Sequence, residues 1–194
     1  EQSEPAICAD DAGGALVAWH DARNGSHYDI FAQRLNAAGT AQWAANGLLV
    51  SSAANNQISP VIVADGSGGA VIAWTDYQNG VSADIYAQRL GPTGVPLWAT
   101  NPVRVSAATG AQSSPAIATD GAGGAIVAWT DYRGGPADIY AQRMSAAGNG
   151  LWTTDGLPVC NATGDQVGAI AAPDGAGGAI VAWLDPRSSA SGFF

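Results

Sequence analysis

Aspartate and arginine are the charged side chains that recur at fixed spacing in this sequence. Aspartates stand nine residues before and two residues after each of four tryptophans. These aspartates are Asp10, Asp65, Asp120 and Asp174, and then Asp21, Asp76, Asp131 and Asp185. Six of the seven arginines lie in D-x-R or A-Q-R segments, at Arg23, Arg133, Arg187, Arg34, Arg89 and Arg143. Because carboxylates pair with guanidinium groups and also cap turns, we expect these residues to tie the loops of each repeat together.

The same aspartates allow a second interpretation, which is one calcium site in each repeat. Calcium takes about six to eight oxygen ligands, and the turn D-G-A-G-G that begins at Asp120 supplies far fewer. We therefore favour turn aspartates over calcium ligands at these positions.

A catalytic centre would have to break this repetition, because an acid, a base or a nucleophile is needed in one place only. His20 replaces the threonine found at Thr75 and Thr130, and His27 follows in the next loop. Together with Asp21, these histidines are a candidate set of ligands for a transition metal. We favour two solvated loop histidines, since no third strong ligand is evident.

Two further aspartates and two cysteines are of residue types that could act in catalysis. Asp155 and Asp165 could form a carboxylate pair of the kind glycosidases use, but they flank a predicted strand, so we expect surface turns at its opposite ends. Cys8 and Cys160 have no histidine nearby in the sequence and fit small strand residues; the sequence leaves their pairing open. We predict no catalytic residue, no metal and no cofactor.

The elements that position these residues belong to an internal repeat. Its anchors, Trp19, Trp74, Trp129 and Trp183, are separated by 55, 55 and 54 residues. Within one unit, alternating apolar runs bounded by glycine turns predict strands over Pro115–Thr119, Ala125–Asp131 and Asp138–Met144, with a fourth from Leu157. Four antiparallel strands in a unit of this length are typical of a propeller blade.

The second strand of the unit is apolar on both faces, with Ala125, Val127 and Trp129 on one side and mostly apolar residues on the other. A sheet with two apolar faces must be covered on both, so we expect each tryptophan to be a wedge between neighbouring blades. The predicted fold class is an all-β, β-propeller-like array of four-stranded antiparallel blades, about three and a half in number. The single repeat domain 1–194 divides into blades at about 3–57, 58–112 and 113–166 and a partial blade at 167–194.

The composition of the chain disfavours several classes of binding partner. The net charge is -9 and the sequence contains no lysine, so we expect no nucleic-acid partner and no attraction to anionic membrane surfaces. No apolar run approaches the length of about 20 residues that a membrane span requires, so we expect no membrane insertion. Because the fourth unit is half complete and leaves an edge open, we expect missing blades of the same chain, or further copies of it, as partners.

The segment AWTDYRGGPADIYAQRMSAAGNGLW, from Ala128 to Trp152, resembles the repeats of sialidase-like, or bacterial neuraminidase repeat, propellers. Their aspartate-box turn is degenerate here, because Ala38, Thr93 and Ala147 precede the glycine in place of the box aspartate. The resemblance implies a propeller blade, and it extends to repeats of large secreted bacterial proteins. The arginine triad and the tyrosine–glutamate pair of sialidases have no counterpart, since the glutamates are confined to the first four residues.

These observations predict a non-catalytic, secreted or cell-surface β-propeller segment that acts as scaffold, adhesion or ligand-binding module. Its ligand would be neutral or cationic, for example a glycan, held by the loop residues Tyr77 and Tyr132. The same tyrosines fit caps over the blade edge. Two alternatives stay open: a fragment of a sialidase-like glycoside hydrolase whose catalytic residues lie outside this chain, and a structural protein that stacks into filaments.

Overall fold

The computed structural model describes residues 1–100 and 102–188, which form fourteen strands and one short 3-10 helix at Pro186–Ser188. The strands are β1 (Gln2–Ala9), β2 (Ala15–Asp21), β3 (Asp29–Leu35), β4 (Leu48–Ser51), β5 (Gln57–Ala64), β6 (Ala70–Asp76), β7 (Asp84–Leu90), β8 (Val103–Ser106), β9 (Gln112–Thr119), β10 (Ala125–Asp131), β11 (Asp138–Met144), β12 (Leu157–Cys160), β13 (Val167–Pro173) and β14 (Ala179–Leu184). Within the described residues, no helix is long and apolar enough to cross a membrane.

The strands form three four-stranded antiparallel sheets and one hairpin across the described part of the chain. Blade 1 comprises β1–β4, blade 2 comprises β5–β8, blade 3 comprises β9–β12, and hairpin 4 comprises β13 and β14. Strands pair in chain order, and neighbouring sheets contact each other through their first strands. First strands therefore lie at the common axis and fourth strands at the periphery. This arrangement confirms the predicted all-β array of blades.

Each blade has two different sides, because successive side chains of the second strand point to opposite faces of the sheet. We call the side that carries the second-strand tryptophan its tryptophan face, and the opposite side its aliphatic face. Trp74 is fully buried and packs with Leu16 and Ala18 from the aliphatic face of blade 1. Trp129 is equally buried and packs with Val71 from the aliphatic face of blade 2. The predicted role of these tryptophans as wedges between blades is confirmed.

In the first two repeats, a second tryptophan, between the third and fourth strands, fastens one blade to the next. Trp43, in the segment between β3 and β4, donates its indole N–H to the carbonyl oxygen of Pro92 at 3.0 Å. Trp98 makes the equivalent bond to Ala146 at 3.1 Å. Both acceptors lie in the turn after the third strand of the following blade, so the periphery is joined by directional bonds as well as by apolar contact.

The turn between first and second strands is built around one aspartate in each repeat. Oδ1 of Asp120 accepts the backbone N–H groups of Ala122 and Gly124, both at 2.9 Å. A Cβ atom at Gly124 would lie 2.1 Å from the carbonyl oxygen of Met144. No side chain can occupy that space, which explains the second glycine of the repeated D-x-x-G-G turn.

Each first strand also contains a bulge at the same position. Glu4, Ser59 and Ser114 have φ values of 49°, 53° and 53°, and Gly168 has 67°. Strand pairing shifts register at each of these points. The sequence predicted the first strand of blade 3 only from Pro115, but β9 begins at Gln112, because the chain pairs on both sides of the bulge.

Replacing Trp74 by alanine should lower the free energy of unfolding by about 3–5 kcal/mol, because it empties a closed space between two sheets. Trp19 is the matched control, since it occupies the same position on the half-exposed tryptophan face of blade 1. We expect a clearly smaller loss for Trp19→Ala. Urea denaturation of monomeric protein, followed by circular dichroism, measures both values. Equal losses would contradict the packing described above.

Candidate functional site

The repeated aspartates and arginines are already engaged with each other. Arginines of the third strands pair with turn aspartates within their own blade: Arg34 with Asp10 at 3.0 Å, Arg89 with Asp65 at 2.8 Å and Arg143 with Asp120 at 3.2 Å. All three aspartates are buried. The expectation that these residues tie the loops of each blade together is confirmed.

In blades 1 to 3, both carboxylate oxygens of the turn aspartate accept hydrogen bonds from protein donors. Oδ1 of Asp10 accepts the N–H groups of Ala12 at 2.9 Å and Gly14 at 2.7 Å, and Oδ2 accepts from Arg34 at 3.0 Å. The bonds from the two backbone N–H groups, with help from Arg34, lower the pKa of Asp10 below its ordinary value. No group of three His, Cys, Asp or Glu side chains that could hold a metal ion occurs among the described residues.

A second set of aspartates stands at the ends of the second strands, where the loops leave the sheet. Oδ2 of Asp131 accepts the indole N–H of Trp129 at 2.8 Å and Nη2 of Arg133 at 2.6 Å. The Arg133 guanidinium lies over the Tyr140 ring at 3.8 Å from its centre and also donates to the carbonyl oxygen of Asp155. Asp131 and Arg133 therefore stabilise the base of the loop.

Blade 2 departs from this arrangement because Gln78 replaces the arginine. At Asp21, burial raises the pKa, but the bonds from Arg23 and Trp19 outweigh it and lower the pKa to about 2. At Asp76, burial is the larger effect, and the pKa is raised above its ordinary value. Asp21 thus has an arginine donor, whereas Asp76 is bonded by the indole N–H of Trp74 and the backbone N–H of Gln78.

His20 does not lie where the sequence analysis placed it. It belongs to strand β2 and is buried, with Nε2 at 2.6 Å from Oγ of Ser3 and Nδ1 at 3.7 Å from Oε2 of Glu4. The Tyr28 ring covers it at a centroid distance of 4.5 Å. The expectation of two solvated loop histidines is wrong for His20, because its position faces the packed side of the sheet, while His27 is exposed in its loop.

Asp155 and Asp165 cap backbone groups in two different connections. Oδ1 of Asp155 accepts the N–H of Ala107, and Oδ1 of Asp165 accepts the N–H of Ala137, both at 2.9 Å. These bonds join the segments before and after β12 to neighbouring loops. The two carboxylates therefore cap different backbone groups at opposite ends of β12. Cys8 and Cys160 are free thiols; burial raises the pKa of Cys8 to about 11, which disfavours the reactive thiolate.

Tyr77 and Tyr132 occupy equivalent positions in blades 2 and 3, directly after the second strand. Their side chains remain 37% and 41% exposed. Each backbone N–H donates at 2.9 Å to the residue that precedes the first strand of the same blade, Asn56 for Tyr77 and Ala111 for Tyr132. Both rings are therefore carried on fixed backbone at the end of the array where the loops between second and third strands lie, which we call the loop end.

Two clefts adjoin each other at the loop end beside blade 1. The first, of about 410 Å³, is lined by residues of the loop after β2 and of the segment after β4, namely Asn24, Gly25, Ser26, His27, Asp29, Leu49, Ser52 and Ala53. The second, also of about 410 Å³, shares Leu49, Ser52 and Ala53 and extends to Gln78 and Pro102. Amide, hydroxyl and imidazole groups surround one exposed leucine, a mixture suited to a polar ligand with an apolar face.

Sequence reasoning missed these clefts, although a signal was present. Leu49 stands where the other repeats have Arg104 and Pro158, and His27 has no counterpart in the later loops. Departures from the repeat mark positions that packing does not fix, and at Leu49 and His27 both departures line the same cleft.

The architecture defines the chain as part of a β-propeller, and comparison with solved structures agrees. The chain is similar to α-L-arabinanase from Penicillium chrysogenum complexed with arabinobiose, with 12% identity and a TM-score of 0.57 over 92% of this chain and 58% of that one. It is also similar to an N-acetylgalactosamine deacetylase from F. plautii in complex with blood group B trisaccharide, with 11% identity and a TM-score of 0.51 over 98% and 60%. Both are five-bladed β-propellers.

At this level of identity the likeness shows the fold alone. The chain spans about three fifths of the length of these two structures, with 58% and 60% of them covered. No family model and no curated protein matches the sequence. The propeller fold is thus shown, and the resemblance to sialidase-like repeats stays a hypothesis.

Blade 2 has glutamine at the position of Arg23. Replacing Arg23 by glutamine should lower the free energy of unfolding by roughly 1–2 kcal/mol at neutral pH. The folded pKa of Asp21, about 2, lies below its ordinary value of 3.8, so the ion pair stabilises the fold fully above that value and is lost as the pH falls toward 2. The difference in free energy of unfolding between variant and parent should therefore decrease as the pH falls from 3.8 toward 2. Denaturation at several pH values measures it.

Arg104→Gln is the control for this comparison, because Arg104 is half exposed and lies 4.0 Å from Asp84. The Asp84 carboxylate is buried, but a half-exposed arginine 4.0 Å away contributes little, so we expect a much smaller change than for Arg23→Gln. A difference between Arg23→Gln and the parent that stays constant down to pH 2 would contradict the assigned role of the arginine.

Proposed function

We propose that this chain is a non-catalytic, carbohydrate-binding segment of an extracellular β-propeller protein, secreted or held at the cell surface. The observation that carries the proposal is the loop end, where partly exposed tyrosines and two polar clefts lie on loops fixed by buried aspartates. Function concentrates on loops that a rigid scaffold positions. The repeated packing supplies that scaffold.

Two kinds of group at the loop end suit a saccharide. Tyr77 and Tyr132 offer aromatic faces on which the C–H face of a sugar ring can stack, while Asn24, His27 and Gln78 offer hydrogen-bonding groups for its hydroxyls. Gln78, the residue after Tyr77 in the sequence, lines the second cleft, whereas neither tyrosine lines either of the two clefts. With a net charge of -9, the chain favours a neutral or cationic glycan over an acidic one.

The non-catalytic part of the proposal rests on how the reactive groups are used. Most repeated carboxylates accept hydrogen bonds from arginine, tryptophan or backbone donors of their own blade. A carboxylate that serves the same structural purpose in successive blades offers no single place for an acid or a base. The carbohydrates named for the two similar structures, arabinobiose and blood group B trisaccharide, support a glycan as the ligand class.

Binding should be tested by isothermal titration with arabinobiose and with blood group B trisaccharide, after a screen on an array of neutral glycans. For a glycan that binds, Tyr77→Ala and Tyr132→Ala should each weaken affinity by about tenfold or more. Tyr→Phe at the same positions should retain most of it, because stacking needs the ring and not the hydroxyl. Val81→Ala is the matched control, since Val81 is 93% exposed in the same loop as Tyr77.

An array without any bound glycan, or full affinity in the double alanine variant, would overturn the carbohydrate proposal and leave a scaffold role. The alternative is a fragment of a sialidase-like or other glycoside hydrolase, which is favoured by the enzymes named for the similar structures. Turnover of a fluorogenic sialoside or arabinoside by the purified chain would establish that alternative.

A further inference from the structure

The two outermost sheets of the array expose opposite halves of one interface. Ile7, on the tryptophan face of blade 1, is 69% exposed, whereas its counterparts Ile62 and Ile117 are 6% and 8% exposed. All three residues pair with the same position of their second strands, so they are equivalent in the fold. Inside the array this position is covered by the preceding blade, and on blade 1 it is open.

The aliphatic face of hairpin 4 shows the complementary pattern. Ile180 is 65% exposed, whereas its counterparts Leu16, Val71 and Ile126 are 0%, 0% and 2% exposed. Ile170 and Leu184 are also exposed, at 68% and 55%. Val181 and Trp183 of the same hairpin pack against blade 3, which confirms that the isoleucine side points away from the array.

The two open surfaces are both apolar, and each extends over two strands. On blade 1 the open part lies on β1 and β2, where a cleft of about 380 Å³ is lined by Gln2, Ser3, Pro5, Val17 and Trp19. The outer part of that face is closed, because Phe31 is only 4% exposed and the Arg23 guanidinium lies 4.1 Å from its ring centre. On the other side, hairpin 4 presents two strands, β13 and β14, the equivalents of β1 and β2.

We propose that the chain binds a second copy of itself head to tail, with the aliphatic face of hairpin 4 against the tryptophan face of blade 1 of the next copy. The contact would continue an interface that the chain already makes three times, between blades 1 and 2, 2 and 3, and 3 and hairpin 4. A second copy is the occupant because each chain carries both complementary halves. Such a contact uses different surfaces on the two partners, so it builds a ring or an open fibre.

Static light scattering after gel filtration tests this with the full chain from about 1 μM to about 1 mM. We expect the average mass to rise with concentration from the 19.4 kDa of one chain to at least twice that value. Ile7→Lys removes one half of the contact and Ile180→Lys removes the other, so each variant alone should remain monomeric. Both residues are largely exposed, and circular dichroism with urea denaturation confirms that each variant is folded.

A mixture of the two variants is the decisive sample. Head-to-tail contact leaves one intact half on each variant, so the mixture should form dimers and nothing larger. Val81→Lys, in an exposed loop away from both faces, should associate like the parent. A parent chain that stays monomeric throughout, variants that still associate alone, or a mixture that stays monomeric would each overturn the proposal, and none of these results bears on glycan binding.

Discussion

Each buried second-strand tryptophan donates its indole N–H to the aspartate two residues further on, and the rest of the structure depends on that contact. The bonds measure 2.9 Å from Trp74 to Asp76 and 2.8 Å from Trp129 to Asp131. An indole enclosed between two sheets needs an acceptor, and a buried carboxylate needs donors. The W-x-D segment meets both needs at once, so the packing of blades and the start of each loop are fixed by the same pair of residues.

This coupling explains why the loop end can carry a site without disturbing the core. The strand-end aspartate also accepts the backbone N–H two residues on, from Gln78 in blade 2 and from Arg133 in blade 3. The intervening residues, Tyr77 and Tyr132, are held between two anchored positions while their rings stay partly in solvent. Loop residues outside these anchors are free to vary, and in blade 1 they include His27 beside its cleft.

The strands and the Asp–Arg ties could be predicted from the sequence because they repeat, and repetition reveals which residues packing requires. The bulges at Glu4 and Ser59 could not, since a left-handed residue other than glycine leaves no pattern except the proline that follows it. Burial of His20 was missed because Ser3 and Tyr28, which surround it, come from other strands and loops. The first cleft depends on how the loop after β2 lies against the segment after β4, and the second on the spacing between blades 1 and 2; a linear pattern contains neither.

The central claim is that the sheets are sandwiched, with the tryptophans sealed between them. Hydrogen–deuterium exchange of the indole N–H groups, followed by nuclear magnetic resonance, tests this most directly, with Trp152 as an internal reference because it is 37% exposed. The account predicts that the indoles of Trp74 and Trp129, both fully buried, exchange far more slowly than that of Trp152. Equal exchange rates for all three would contradict it.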